Sequence, residues 1–223
     1  MPGGAPRTRT LTRGKILAAA LTLVDEEGLP SLSLRALGKR LGVSQTAFYR
    51  HVPDKAALLE GVAEEVLRIA FDSFLARVED GLADGDWRSF AREYAIALHT
   101  TLLAHPGTVI LVLTHPVSTP GQFALLAKVM ARLTEAGFEA PLDILAVISA
   151  VSVYTTGFAA AEVVPPVGGA SGKPDDGLAD AIATLPEGDL AALRGLIGDM
   201  MEGNWDFNAQ FERGLDAFLR GWR

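Results

Sequence analysis

Apolar residues recur at helical spacing along most of the chain. Over residues 12–27, Ile16, Leu17, Ala20, Leu21 and Val24 mark one face, Thr12 is the cap and Gly28-Leu29-Pro30 the stop. Behind Ser33, suited to capping backbone N–H groups, Leu34, Leu37 and Leu41 repeat at three and four residues, and Gly42 ends the helix. Val43 is a buried peg in the turn. Ser44 caps a second short helix whose Ala47 and Phe48 turn back onto the first. Its other residues, Gln45, Thr46, Tyr49, Arg50 and His51, are hydrogen-bonding or basic and point outward.

Asp54 opens a longer helix striped by Leu58, Leu59, Val62, Val66, Ile69 and Ala70 to about Ala76. Residues 87–104 form another, with Phe90, Tyr94, Ala97, Leu98 and Leu102 inside, broken by His105-Pro106-Gly107. Residues 109–113 are the one strand candidate, too isolated to build a sheet. Amphipathic helices follow over 121–137, 186–201 and 204–220. Residues 164–177 read as a long loop, and residues 178–185 as a short helix or loop remnant. The pattern predicts an all-α chain: a three-helix helix-turn-helix domain over 1–58 and a larger helical domain over 59–223.

Residues 142–164 are the most apolar stretch, uncharged between Asp143 and Glu162. A membrane span is rejected, because hydroxyl and small residues are dense, both ends are acidic and no Lys or Arg flanks the run closely. An all-round apolar helix also suits a domain centre or a dimer interface. Ala146, Ala150, Val153, Gly157 and Ala160 would let a second helix come close.

The net charge of −7 is unevenly spread. Residues 1–58 carry nine Lys and Arg against four Asp and Glu, whereas residues 59–223 carry eleven against twenty-three. A basic head on an acidic body puts phosphate-seeking charge where the helix pair lies. Arg7 and Arg9 belong to a basic arm that reaches for phosphate or a minor groove, or is a disordered tail. With no cysteine, disulfides and thiolate metal sites are excluded. The first residues lack the apolar core of a signal peptide, which points to the cytoplasm.

Isolated helices shorter than ~12–15 residues are marginal in water, so the short polar helix is explained if its exposed face has a partner. The major groove admits one helix and offers donors, acceptors and thymine methyls. The other reading is an ordinary surface helical hairpin. No phosphate-binding glycine loop, nucleophile elbow or H-E-x-x-H motif occurs, so no catalytic residue and no enzyme is expected. His99, His105 and His115 are spaced off any shared helical face, so no metal site is expected either. A helical enzyme or carrier for an apolar small molecule is the alternative, and a DNA-architectural protein with a filled C-terminal core is a second.

L-S-L-R-A-L-G-K-R-L-G-V-S-Q-T-A-F-Y-R-H-V-P-D-K-A-A-L-L, residues 32–59, resembles the DNA-binding domain of the TetR/AcrR family of bacterial regulators. The resemblance implies that Gln45, Thr46 and Ala47 face base edges and that Thr12, Tyr49, His51 and Lys55 hold phosphates, with Arg35 and Arg50 also on DNA. It implies a homodimer on a palindromic operator, released by a small-molecule effector, with the helix after Asp54 as the lever.

Residues 85–164 resemble, more weakly, the ligand-binding domain of the tetracycline repressors, through L-L-A-H-P-G, T-H-P, E-A-G-F and S-A-V-S-V-Y-T-T-G-F. There a histidine and a glutamate help hold a magnesium-chelated drug. Aligned by eye, those positions are Leu111 and Ala161, which cannot ligate a metal; Glu162 is one residue off. The expectation is therefore a shared scaffold without a metal cofactor. Polar and aromatic residues in apolar helices nominate the pocket: His99, Thr114, Gln122, Phe123, Tyr154, Thr155, Phe158 and Glu162. An unpaired buried polar group costs on the order of 1–3 kcal/mol, so each needs a partner in the protein or in a ligand.

Overall fold

The computed structural model describes residues 11–82, 85–115, 117–138, 141–163 and 206–222, with a few single positions from 184 to 193. The basic arm, the long loop, the segment 178–185 and most of the expected 186–201 helix fall outside the described residues. Helices account for the described fold: α1 (Arg13–Glu27), α2 (Leu34–Leu41), α3 (Gln45–Phe48), α4 (Lys55–Glu79), α5 (Trp87–Ala104), α6 (Val109–Thr114), α7 (Pro120–Glu135), α8 (Pro141–Val163) and α9 (Phe207–Gly221).

Helix starts follow local chemistry. Thr12, Ser33, Asp54, Asp86, Thr119 and Asp206 each accept a backbone N–H of the first turn through the side chain. Gly42 ends α2 in the left-handed conformation, φ +66°. Ser44 departs from expectation, since its side chain makes no cap bond. The recognition helix is also shorter than the pattern suggested. Regular helix stops at Phe48, and Tyr49 to His51 continue as a turn in which the His51 N–H donates to the Phe48 carbonyl. Residues 109–113 are helical in α6 rather than extended: α8 lies across them, and Val109 and Leu111 are buried while Ile110 and Leu113 stay exposed, as on two faces of a helix.

Two apolar cores are joined by α4. Leu58, Val62, Ala63, Val66 and Ala70 belong to the first, with Ile16, Leu17, Leu37 and Phe48 from the head and Leu98, Leu102, Val109 and Ala159 from the body. Phe71 and Phe74 belong to the second, with Ala91, Val129, Val147, Val151, Phe211 and Leu215. The sequence-drawn boundary at 58/59 therefore falls inside one continuous helix. Val43 is partly buried rather than enclosed, while Leu37 and Phe48 are fully covered. Phe48 packs over Gly38, where a Cβ would stand 3.5 Å from its ring. α8 is long and apolar enough to cross a membrane by length and composition, but Ile144, Val147, Val151 and Ala159 are buried within the protein.

Phe48 is the one fully buried side chain among the described residues of α3, so truncating it leaves a void that a four-residue helix cannot close. Phe48→Ala should cost about 3–5 kcal/mol in a urea melt and take DNA binding down with it. A loss below about 1 kcal/mol would show that the motif is held by other contacts.

Candidate DNA-reading face and effector cavity

On the head, α2 and α3 present a basic, hydrogen-bonding surface. Tyr49 is 53% exposed. Arg35, Lys39, Arg50 and Lys55 are exposed and have no ion-pair partner among the described residues, so their charge is available to phosphate. Arg40 differs, because it pairs with Glu26 of α1 at 2.7 Å. Ala47 and His51 are partly exposed on the same segment. Thr12 has its Oγ1 committed to the Lys15 N–H at 3.3 Å and its side chain near the surface. Gln45 and Thr46 are the first residues of α3; their side chains lie outside the described set.

In the body, α4, α5, α6, α7 and α8 enclose a cavity of about 360 Å³. Leu67, Ala70 and Phe71 of α4, Leu98 of α5, Leu125, Leu126 and Val129 of α7 and Ile148 of α8 make most of its wall. Among the described residues no Asp, Glu, Lys or Arg lines it; its polar groups are Tyr94, His115, Gln122, Ser149, Ser152 and Thr156. The Tyr94 hydroxyl and Ser152 Oγ bond each other at 3.1 Å, and burial pushes the Tyr94 pKa up, so the phenol is neutral. His115 Nδ1 donates to the Leu111 carbonyl at 2.9 Å, which leaves Nε2 for a ligand hydroxyl or amide. The Gln122 amide oxygen accepts from Ser118 and Thr119 N–H at 2.8 and 3.0 Å, so its amino group is the donor left over.

Of the eight residues nominated from sequence, Gln122 lines this cavity. His99, Tyr154, Phe158 and Glu162 form a separate cluster around Phe211 of α9. His99 stacks on Phe211 with centroids 4.0 Å apart, and its Nε2 donates to Glu162 at 3.0 Å. The Tyr154 hydroxyl donates to the Phe211 carbonyl at 2.9 Å and lies so close to Gly214 that no Cβ would fit there. Thr114 bonds back to the Ile110 carbonyl at 2.7 Å, and Phe123 is 55% exposed outside the cavity wall. Thr155 is fully buried, and its Oγ1 is the one buried side-chain polar atom without a partner among the described residues. Sequence reasoning missed Ser149, Ser152 and His115 as lining residues; the signal available for the two serines was their position in an uncharged helix.

The three clustered histidines separate in the fold. His99 meets Glu162, His105 donates through Nδ1 to Asp25 of α1 at 2.9 Å, and His115 turns to the cavity. Among the described residues no group of three or more metal-ligating side chains comes together. Glu64 of α4 is different again. It accepts from Arg13 at 2.8 and 3.1 Å and from the Thr119 hydroxyl at 2.6 Å. Partial burial raises its pKa, but the bonds from Arg13 and Thr119 and the Arg13 charge outweigh that and hold the carboxyl below its ordinary value.

Two family descriptions match the chain: bacterial regulatory proteins of the tetR family over residues 16–62, and the tetracyclin repressor-like C-terminal domain over residues 81–223. The chain belongs to the TetR family of bacterial transcriptional regulators. It is 32% identical over 222 residues to an HTH-type transcriptional regulator of Saccharopolyspora erythraea, covering 99% of this chain and 88% of the relative. To the class C tetracycline repressor protein of Escherichia coli it is 33% identical over 212 residues, 95% of this chain and 90% of that protein. Among solved structures, a possible TetR family regulator from Streptomyces coelicolor A3(2) superposes with a TM-score of 0.69 at 27% identity, over 94% of this chain and 97% of that one. A TetR variant from Acinetobacter baumannii AYE in complex with minocycline gives 0.65 at 28%, over 95% and 92%.

Burial against Phe211 lowers the His99 pKa from 6.5 despite the attraction of Glu162, so the folded ring is neutral at neutral pH. The unfolded chain then binds the proton more readily, and stability falls as pH drops below 6.5 toward the folded value. His99→Gln, which still donates to Glu162, should lose less of its thermal midpoint than the parent between about pH 7.5 and 5.5. Parallel losses in the two proteins would show that His99 does not set this dependence.

Proposed function

We propose that this chain is a ligand-responsive repressor: a homodimer that occupies a palindromic operator and leaves it when a small molecule fills the α4–α8 cavity. One observation carries the reading. α4 starts at Lys55, beside the DNA-reading face, and forms the cavity wall with Leu67, Ala70 and Phe71. Lys55 and Leu67 are ~18 Å apart along a rigid helix, so movement of the wall is movement of the head. A ligand that binds two settings of this helix unequally shifts their populations by that difference in affinity. The minocycline complex of the related Acinetobacter regulator supports a small molecule as the effector.

The cavity has the size of a drug-like site and is mostly apolar, which favours a neutral ligand held by Tyr94, His115, Gln122 and the serines rather than a metal chelate. Dimerisation is supported by the face of α8 that carries Ala146, Val153 and Gly157, exposed and small, with Val153 62% exposed. With two heads ~34–36 Å apart, successive major-groove faces are read. The protein works in the cytoplasm, has no catalytic role and needs no cofactor. In the recognition segment, Gln45, Thr46 and Ala47 read base edges; Thr12, Arg35, Tyr49, Arg50, His51 and Lys55 take phosphate or guanine contacts.

Fluorescence anisotropy with DNA from upstream of its own gene, against scrambled DNA at several salt concentrations, tests this. Tight, selective and salt-sensitive binding is expected. Lys55→Ala should weaken all sequences alike and reduce the salt slope by about 1. Gln45→Ala should cost about 1–3 kcal/mol at one base position only. Equal loss on operator and scrambled DNA would remove Gln45 from base reading, and binding without sequence preference would sink the regulator reading.

A further inference from the structure

Glu64 joins three elements that nothing in the sequence brings together. Arg13 opens α1, one residue after Thr12 at the DNA-side end of that helix. Thr119 caps α7, and Gln122 of its first turn lines the cavity. One carboxylate accepts from both, with a fork of two bonds from Arg13 and one from the Thr119 hydroxyl. Gln122 closes the chain on the other side, because Thr119 Oγ1 accepts the Gln122 N–H at 3.1 Å while the Gln122 amide oxygen accepts the Thr119 N–H at 3.0 Å.

The approach is close enough to exclude a side chain. A Cβ at Gly121 would run into the Glu64 carboxylate, so the first turn of α7 lies directly on it. Nearby, Gly61 lets Leu17 and Arg13 settle against α4 with no room for a Cβ. The opposite end of α1 has its own attachment to the body, through Asp25 with His105 and through Val24 packed on Gly107. α1 is therefore held at both ends, and Glu64 is the joint that leads to the cavity.

We propose that Glu64 is a positioning residue that sets the DNA-reading head against the cavity wall, so that half-site spacing and cavity occupancy act on the same carboxylate. This rests on the dimeric-repressor reading above. A group displaced at Gln122 moves the α7 cap, the cap carries Thr119, and Glu64 passes that displacement to Arg13. The contacts form one unbroken physical chain between the sites, and the carboxylate has the charge-assisted, bidentate geometry that gives direction as well as strength. An isolated surface ion pair contributes little to stability. The role of this one is geometric: the Glu64 joint narrows the range of head positions within each setting of α4, and breaking it leaves the head to its core packing on α4 and the Asp25–His105 attachment, with a wider range.

The experiment uses the full chain and an operator duplex selected by the parent protein from random DNA. Its affinity is compared with that for the same half-sites moved apart by two inserted base pairs. Glu64→Gln keeps shape and removes charge. Thr119→Asp keeps an N-cap but sets a second carboxylate against Glu64. Both should reduce the discrimination between spacings roughly fivefold while still binding the selected duplex, and Thr119→Ser should retain it. Circular dichroism and thermal midpoints confirm that each variant is folded; if Thr119→Asp does not fold, Glu64→Gln alone decides. Discrimination unchanged in folded Glu64→Gln overturns the proposal, as does a Thr119→Ser loss equal to that of Thr119→Asp, which would assign the effect to helix packing. A parent with no spacing preference fails the two-headed reading itself, before any variant is compared, and the proposal falls with it.

Discussion

The fold depends on one helix being buried in two cores. α4 gives Leu58, Val62 and Val66 to the core it shares with the head, and Phe71 and Phe74 to the core behind the cavity. Neither unit is complete without it. α1 packs on its first half, α2 packs on α1 and α3 on α2, and a four-residue α3 has no stability of its own to fall back on. Because packed cores have discrete rather than continuous arrangements, a helix fixed in both of them cannot bend to absorb a change at one end. That stiffness links a cavity to a DNA-reading surface in this chain.

Two sets of polar groups in the body have different consequences. Around the cavity, Tyr94, Ser152, Gln122 and His115 are partly engaged with one another or with backbone, which leaves a few donors and acceptors facing an apolar space. Such a lining selects for shape and for a small number of hydrogen bonds. Around Phe211, His99, Tyr154 and Glu162 are satisfied within the protein and fasten α9 to α5 and α8. Arg92 adds to this seam by bonding Glu212 and Asp216 of α9 at 2.6 and 3.2 Å. The first set is open to a ligand, whereas the second is already occupied by the protein's own C-terminal helix.

Most local signals were legible in the sequence. Helix type and extent follow from apolar spacing, and the starts at Thr12, Ser33 and Asp54 and the stop at Gly42 follow from side chains that act within one turn of themselves. The same locality explains why residue order alone places the helix-turn-helix and its exposed basic residues. Val109–Thr114 was ambiguous because its five consecutive apolar residues carry no period; packing of Val109 and Leu111 beside α8 decided it as helix. Ser44 had the right chemistry for a cap, yet its side chain makes none at the head of so short a helix.

What the sequence by itself determined about this protein is therefore its all-α class, the order of most of its described elements and the helix-turn-helix segment, because periodicity, caps and breakers act over a few residues. Only the tertiary structure decided which polar residues share a site. Polar residues within apolar helices look alike along the chain, and their fate depends on which face of a neighbouring helix they meet. Thus Tyr94, Ser152 and His115 came to the cavity, Tyr154 and Phe158 went to α9, Glu162 met His99 of α5, and Glu64, unremarkable in sequence, became the meeting point of α1, α4 and α7. Contacts across 51 and 55 residues depend on how whole helices cross, and no local pattern encodes that crossing.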